Sequence, residues 1–149
     1  MSTDPSEPRG CTHFRLRQLV RRVSRLYDAE LAGAGLKGTQ YTLLSQVVAR
    51  GPTAPSALAR AMGMDASTLT RNLRPLLEQG LLVQGPGADA RSRQVDVTDA
   101  GRARHAQARA RWKRAQEALN ERLGRAEVAA LHVVLDRALA RMDETAGDD

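Results

Sequence analysis

The part of the chain that most restricts its fold lies between Leu81 and Gly101. A short apolar run, Leu81-Leu82-Val83, leads into Gly85-Pro86-Gly87, then the basic Asp89-Ala90-Arg91-Ser92-Arg93, then Gln94-Val95-Asp96-Val97. Physically this is a strand, a glycine- and proline-rich tip, and a return strand. Thr98 follows in the position of an N-cap, opening a long arginine- and alanine-rich helix. Directly upstream, Ser56 to Gly80 reads as two short helices joined by a tight turn at Gly63-Met64-Asp65. Two helices and then a hairpin give the order of a winged helix-turn-helix, whose usual partner is duplex DNA.

A chain of 149 residues suggests a single domain large enough to bury a core. Apolar residues make up 42% but aromatics only 3%, so that core must be built from Leu, Val and Ala, which favours helices. The net charge of +6 suits a polyanionic partner, although a basic protein need not have one. Arginines gather in the Arg15–Arg25 and Arg102–Arg114 stretches, whereas Asp143, Glu144, Asp148 and Asp149 make the far end acidic. No apolar run approaches the roughly 20 residues of a membrane span. Residues 1–10 are polar, lack the apolar centre of a signal peptide, and read as a flexible tail. One cysteine permits no internal disulfide, so the cytoplasm is the expected compartment.

Helical periodicity fills most of the remainder. Leu16, Leu19, Val20, Val23, Leu26, Tyr27 and Leu31 form one stripe, ending at Gly33-Ala34-Gly35. Thr39 is placed to cap a second helix with Tyr41, Leu44, Val47 and Val48 inward, stopped by Gly51-Pro52. Ser56 is placed to cap a third, with Leu58, Ala61 and Met62 inward. In the fourth, Leu69, Leu73, Leu76 and Leu77 face the core, and Pro75 predicts a bend in its C-terminal half. After the long helix from about Thr98 to Leu123, Gly124 precedes a last one with Val128, Leu131, Leu135, Leu139 and Met142 on its apolar side. The first and last helices carry more apolar surface than the rest of the chain can cover. A symmetric homodimer, matched to a palindromic operator, is the expected solution.

In sequence this chain resembles the MarR family of transcriptional regulators over roughly residues 11–143. The resemblance rests on Gly35-Leu36-Lys37-Gly38-Thr39-Gln40-Tyr41-Thr42-Leu43-Leu44, on Leu58 to Asp65, on Ser67 to Leu73 and on Gln79-Gly80-Leu81-Leu82. Its most specific piece is Asp89-Ala90-Arg91 followed by Val97-Thr98-Asp99-Ala100-Gly101. The resemblance implies a mainly α fold with a two-stranded β wing, arranged as an interlocked helical dimer. After the flexible tail at 1–10, it implies a single domain at 11–149. Within that domain the winged helix-turn-helix would span about 36–98, flanked by dimerisation helices at about 11–35 and 98–143. Such regulators usually repress a gene until a small aromatic acid, an oxidant or another effector releases them. Carried over by position, residues 67–74 would enter the major groove, Arg91 or Arg93 would reach the minor groove or its phosphates, and Asp89 would orient an arginine.

The candidate DNA-contacting residues are therefore Ser67, Thr68, Thr70, Arg71, Asn72, Arg74, Asp89, Arg91 and Arg93. Arginine and asparagine can bond base edges bidentately, serine and threonine suit phosphates, and a narrow minor groove attracts arginine. Arg60 is a candidate phosphate contact. Tyr41 and Trp112 fall where relatives often have an effector cleft, with His13, Arg17 and Arg109 as candidate anchors for an aromatic acid's carboxylate. Cys11, at the mouth of the first helix beside His13 and Arg15, is a redox candidate, since thiols at helix N-termini near cations are reactive. However, the aromatic-rich surroundings of peroxide-sensing relatives are not reproduced around Cys11. His13, His105 and His132 share no metal-ligand spacing, and no metal or other cofactor is expected. The sequence has no phosphate-binding glycine loop, HExxH or GxSxG, and so reads as no enzyme. A helical dimer binding ligands or proteins other than DNA is the alternative from a different class.

Overall fold

The computed structural model describes residues 6–89 and 91–145. The first five residues of the expected tail, Ala90 in the wing and residues 146–149 lie outside them. Six helices and one hairpin follow in chain order: α1 (Thr12–Leu31), α2 (Gly38–Arg50), α3 (Pro55–Met62), α4 (Ala66–Glu78), β1 (Leu82–Pro86), β2 (Arg93–Val97), α5 (Asp99–Leu123) and α6 (Arg125–Thr145). A 3-10 turn at Ala32–Ala34 closes α1.

Several helix starts differ from those read in the sequence. α2 begins at Gly38 rather than after Thr39, because Asp28 of α1 accepts the Gly38 N–H at 2.7 Å and Gln40 Oε1 accepts the Lys37 N–H at 3.0 Å. α3 begins at Pro55, a favoured first helical residue, with Ala54 rather than Ser56 as N-cap. That start turns Ala59 inward beside Leu58 and leaves Ala61 exposed, contrary to expectation. Asp65 caps α4 and Thr98 caps α5, the latter as expected. α4 runs on through Pro75 to Glu78.

The core sits where the short helices meet the hairpin. Leu43, Leu44 and Val47 of α2, Leu58 of α3, and Leu69 and Leu76 of α4 close over Leu81, Leu82 and Val95, all at most 2% exposed. Leu43 is buried although its helix position was not on the expected stripe. α2 packs against α1, α3, α4, α5 and β2, so two of its faces are covered. β1 and β2 pair antiparallel in the register Leu82↔Val97 to Pro86↔Arg93. A single bridge from Thr53 to Val95 adds a third chain segment beside β2, with N···O distances of 3.0 and 2.8 Å.

α5 ties the parts together. At its start, the Thr98 hydroxyl accepts the Gly101 N–H at 3.0 Å and is 2.6 Å from the Gly80 carbonyl oxygen, to which it donates. Further along, Arg104 donates to the Ala34 carbonyl at 3.2 Å and Arg111 to the Glu30 carbonyl at 3.4 Å, while Arg114 pairs with the Glu30 carboxylate. Cations at the end of α1 meet both its open carbonyls and the negative end of its dipole. Beyond these contacts parts of the expected apolar stripes are exposed, Leu16 and Val20 on α1 and Leu135, Leu139 and Met142 on α6, and only Val128 of the α6 stripe is buried.

Candidate nucleic-acid interface and ligand cleft

α4 presents its outer face through its N-cap. Asp65 Oδ1 accepts the Thr68 N–H at 2.7 Å and the Ser67 hydroxyl at 2.8 Å. These bonds, led by the Thr68 amide and aided by Arg71, hold the Asp65 carboxyl at a pKa of about 2. The preceding turn closes on Gly63, whose φ of 61° lies in the left-handed region. Ser67, Thr70, Arg71 and Arg74 then follow at helical spacing and are all exposed. Thr68 and Asn72 are only half-exposed. Asn72 turns its amide back along the helix, donating to the Thr68 carbonyl at 2.9 Å with Met64 Sδ 3.7 Å away. It therefore presents less of itself outward than its place on the expected exposed face implied.

In the wing, Asp89 acts on the backbone of the tip, including that of Arg91. Its Oδ1 accepts the backbone N–H groups of Arg91 at 2.9 Å and Ser92 at 2.8 Å, so it shapes the tip rather than holding a guanidinium. Those bonds keep its carboxyl below the usual aspartate range. Gly87 N–H meets the Ser92 carbonyl at 2.8 Å and completes the turn. Both Arg91 and Arg93 are exposed, and with Gln84, Pro86 and Ser92 they border a concavity of about 350 Å³. A second groove, of about 240 Å³, runs between α4 and the wing past Thr70, Arg74 and Gln84. The exposed cations of α4 and of the wing thus flank adjoining concave surfaces, an arrangement that can bind a polyanion. Arg60 is exposed on α3.

The candidate effector residues separate into two groups. Tyr41 is buried between two rings: its centroid lies 5.3 Å from that of His105, nearly parallel at 8°, and 6.1 Å from that of Trp112. Tyr41, Trp112 and Arg109 share a cleft of about 420 Å³ with Ser45 and His105. His13 and Arg17 are not part of it. Both stand exposed on the first turns of α1, away from the helix end that meets α2 and α5. On the other side of Trp112 and Thr42, a cleft of about 320 Å³ opens between α1 and the start of α2, past Val23, Tyr27, Lys37 and Met62. The Tyr27 hydroxyl there is bonded to Gln116 at 2.6 Å.

Sequence reasoning passed over His105 and Ser45. The His105 Nε2 lies 2.9 Å from the Ser45 hydroxyl. Burial, and then the nearby Arg109 charge, lower its pKa and favour the neutral ring. A signal was present: His105, Arg109 and Trp112 recur at i, i+4 and i+7 on α5, facing Tyr41 and Ser45 at i and i+4 on α2. Cys11 is the N-cap of α1, exposed, with Sγ accepting the Phe14 N–H at 3.4 Å. Among the described residues, no group of His, Cys, Asp and Glu could hold a metal ion.

Residues 34–92, from the end of α1 into the wing, match the model of the MarR family. No curated protein matches the chain. Among solved structures, the chain is similar to a probable transcriptional regulator of Pseudomonas aeruginosa at 28% identity and a TM-score of 0.79, covering 85% of this chain and 96% of that one. It is similar to the transcriptional regulator MOSR of M. tuberculosis, solved in complex with DNA, at 29% identity and a TM-score of 0.71, covering 87% and 98%. A mutant MarR of E. coli complexed with operator DNA matches at 26% identity and a TM-score of 0.76, covering 84% and 91%.

Proposed function

The chain belongs to the MarR family of transcriptional regulators, and from that premise we propose that it is a homodimeric repressor that binds a palindromic operator and leaves it when a small aromatic or anionic ligand binds. One observation carries the DNA-binding part. The exposed Ser67, Thr70, Arg71 and Arg74 face of α4 stands beside the wing arginines, in a fold shared with relatives solved on DNA. Arg71 and Arg74 are assigned to the major groove, Ser67, Thr68 and Thr70 to phosphates, and Arg91 and Arg93 to the minor groove or its edges. Asp89 acts indirectly, by fixing the wing tip that carries Arg91.

The bare apolar faces of α1 and α6 support pairing, with dimerisation helices at about 11–35 and 98–143 around a winged helix-turn-helix at about 36–98. Members of this family act by binding DNA, and we assign no catalysis to this chain. No helix among the described residues is long and apolar enough to cross a membrane. A regulator of this kind works in the cytoplasm, where its operator is.

The ligand part is supported by the cleft at Tyr41, Arg109 and Trp112, which combines ring walls with one cation. α5 runs from the Thr98 cap under the wing, past this cleft, to the dimer helices. A ligand that favours one setting of α5 can therefore misplace the recognition helices relative to successive major grooves. Its effect can be no larger than its differential affinity for the two dimer geometries.

Mobility shifts with promoter-region DNA test the proposal. Specific binding to half-sites roughly 10 bp apart is expected, weakening steeply with salt. Equal affinity for random duplex would overturn it and favour a helical dimer serving another partner.

A further inference from the structure

We propose that the cleft between α2 and α5 takes up one proton together with a carboxylate-bearing aromatic ligand, with His105 as the residue that makes binding depend on pH. The inference rests on the ligand-responsive reading above and adds the coupled proton and the residue that accepts it.

The geometry begins with the ring. His105 lies flat on Tyr41 at 5.3 Å, and its Nε2 is engaged by Ser45 at 2.9 Å. Its Nδ1 has no protein hydrogen bond among the described residues. α2 contributes no carboxylate anywhere along its length. The acids of α1 near its end are already occupied, Asp28 by the Gly38 N–H and Glu30 by Arg114. The charge that acts on His105 is the cation of Arg109, four residues on, and Arg102 lies three residues before it. With burial and a neighbouring cation both opposing a second positive charge, the empty cleft holds the ring neutral near pH 7.

A carboxylate entering against Arg109 reverses that balance. It neutralises the cation and puts a negative charge beside the ring, so imidazolium becomes the favoured form. The protonated ring donates through both nitrogens, Nε2–H to the Ser45 hydroxyl and Nδ1–H to the carboxylate. One proton is drawn from solvent for each ligand bound; it forms the second ring N–H bond of His105, and no other covalent bond changes. An aromatic ligand fits better than a bare anion, because Tyr41 and Trp112 offer stacking faces in the same cleft.

The sign follows from linkage. The ligand raises the His105 pKa, so its affinity is constant below the pKa of the free ring. Above that point affinity falls by up to about tenfold per pH unit until the pKa of the bound form is passed. Trp112, the only tryptophan, reports occupancy. Titrating the full chain with salicylate from pH 5 to 8 and following Trp112 emission should give saturable binding that weakens with rising pH. Calorimetry in buffers of different ionisation enthalpy should give uptake of up to one proton per site. His105→Gln, which can still bond Ser45 but cannot titrate, should bind with a flat pH profile. Replacing His13 and His132 with Gln should leave the slope intact, and Arg109→Ala should lose binding.

Saturable binding by wild type with no pH dependence, or a pH dependence that survives in His105→Gln, overturns this inference and leaves the ligand-responsive reading standing. Absence of saturable binding at every pH, with operator affinity also unmoved by salicylate and related aromatic acids, overturns both.

Discussion

Gly101→Ala tests the junction on which the wing depends, because two effects of opposite sign compete there. Gly101 is in the first turn of α5, where alanine is ordinarily preferred to glycine by about 1 kcal/mol. Here, however, an added Cβ would lie 2.0 Å from the Leu81 carbonyl oxygen and 2.8 Å from Val97 Cγ2. An ordinary C···O contact is about 3.3 Å, so the base of the hairpin and the start of α5 must part by about 1.3 Å. The same Leu81 carbonyl accepts from both the N–H and the hydroxyl of Thr98, each at 3.1 Å. The single hydroxyl proton is held mainly by the Gly80 carbonyl at 2.6 Å, so the bond at stake is that of the Thr98 N–H, worth about 1 kcal/mol, and the overpacking itself costs about 1–3 kcal/mol. After the gain in helix propensity, the net loss is about 1–3 kcal/mol. At about 3 °C per kcal/mol for a chain of this size, the midpoint of thermal unfolding should fall by roughly 3–9 °C. The comparison must be made at one protein concentration, since dimerisation would add to apparent stability. Operator affinity should fall as well, because the wing is re-aimed relative to α4. An alanine variant melting at or above the wild-type temperature would refute the close approach of α5 to Leu81.

Other perturbations separate the remaining parts. Leu139→Glu puts a charge on an α6 position that is 62% exposed in the single chain, so the isolated subunit should still fold. Sedimentation should then show a monomer, whereas an unchanged dimer would exclude this face from the interface. Arg71→Ala should cost about 1–3 kcal/mol of operator binding and relax sequence preference at one position, while Arg93→Ala should weaken all sequences alike and lower the salt slope by about one. Wing variants that bind like wild type at every salt concentration would remove the wing from the interface. Cys11→Ser should keep normal release by an aromatic acid. A variant that binds operator but no longer releases it with peroxide would instead make the exposed Cys11 the sensor.

The order of elements was legible because it rests on local chemistry. Thr98 is a good N-cap wherever it stands, glycine and proline punctuate the tip at 85–87, and leucines at 69, 73 and 76 repeat at the helical period. The excess of apolar residues on the first and last helices was legible for the same reason. What depended on distant neighbours was not. α2 starts at Gly38 because Asp28, ten residues earlier and on another helix, accepts its N–H, and nothing within α2 announces that. Asn72 has an outward position by spacing, yet Met64 and the Thr68 carbonyl draw its amide back. Asp89 could have faced a guanidinium, and the tightness of the turn gave it two amides instead. The cleft shows the division most clearly: spacing put Tyr41 and Trp112 on helix faces, but only the crossing of α2 and α5 set His105 flat against Tyr41 and left His13 and Arg17 elsewhere. Periodicity and capping act within a few residues of chain, whereas the stacking, burial and charge that shape a site depend on which helices pack together.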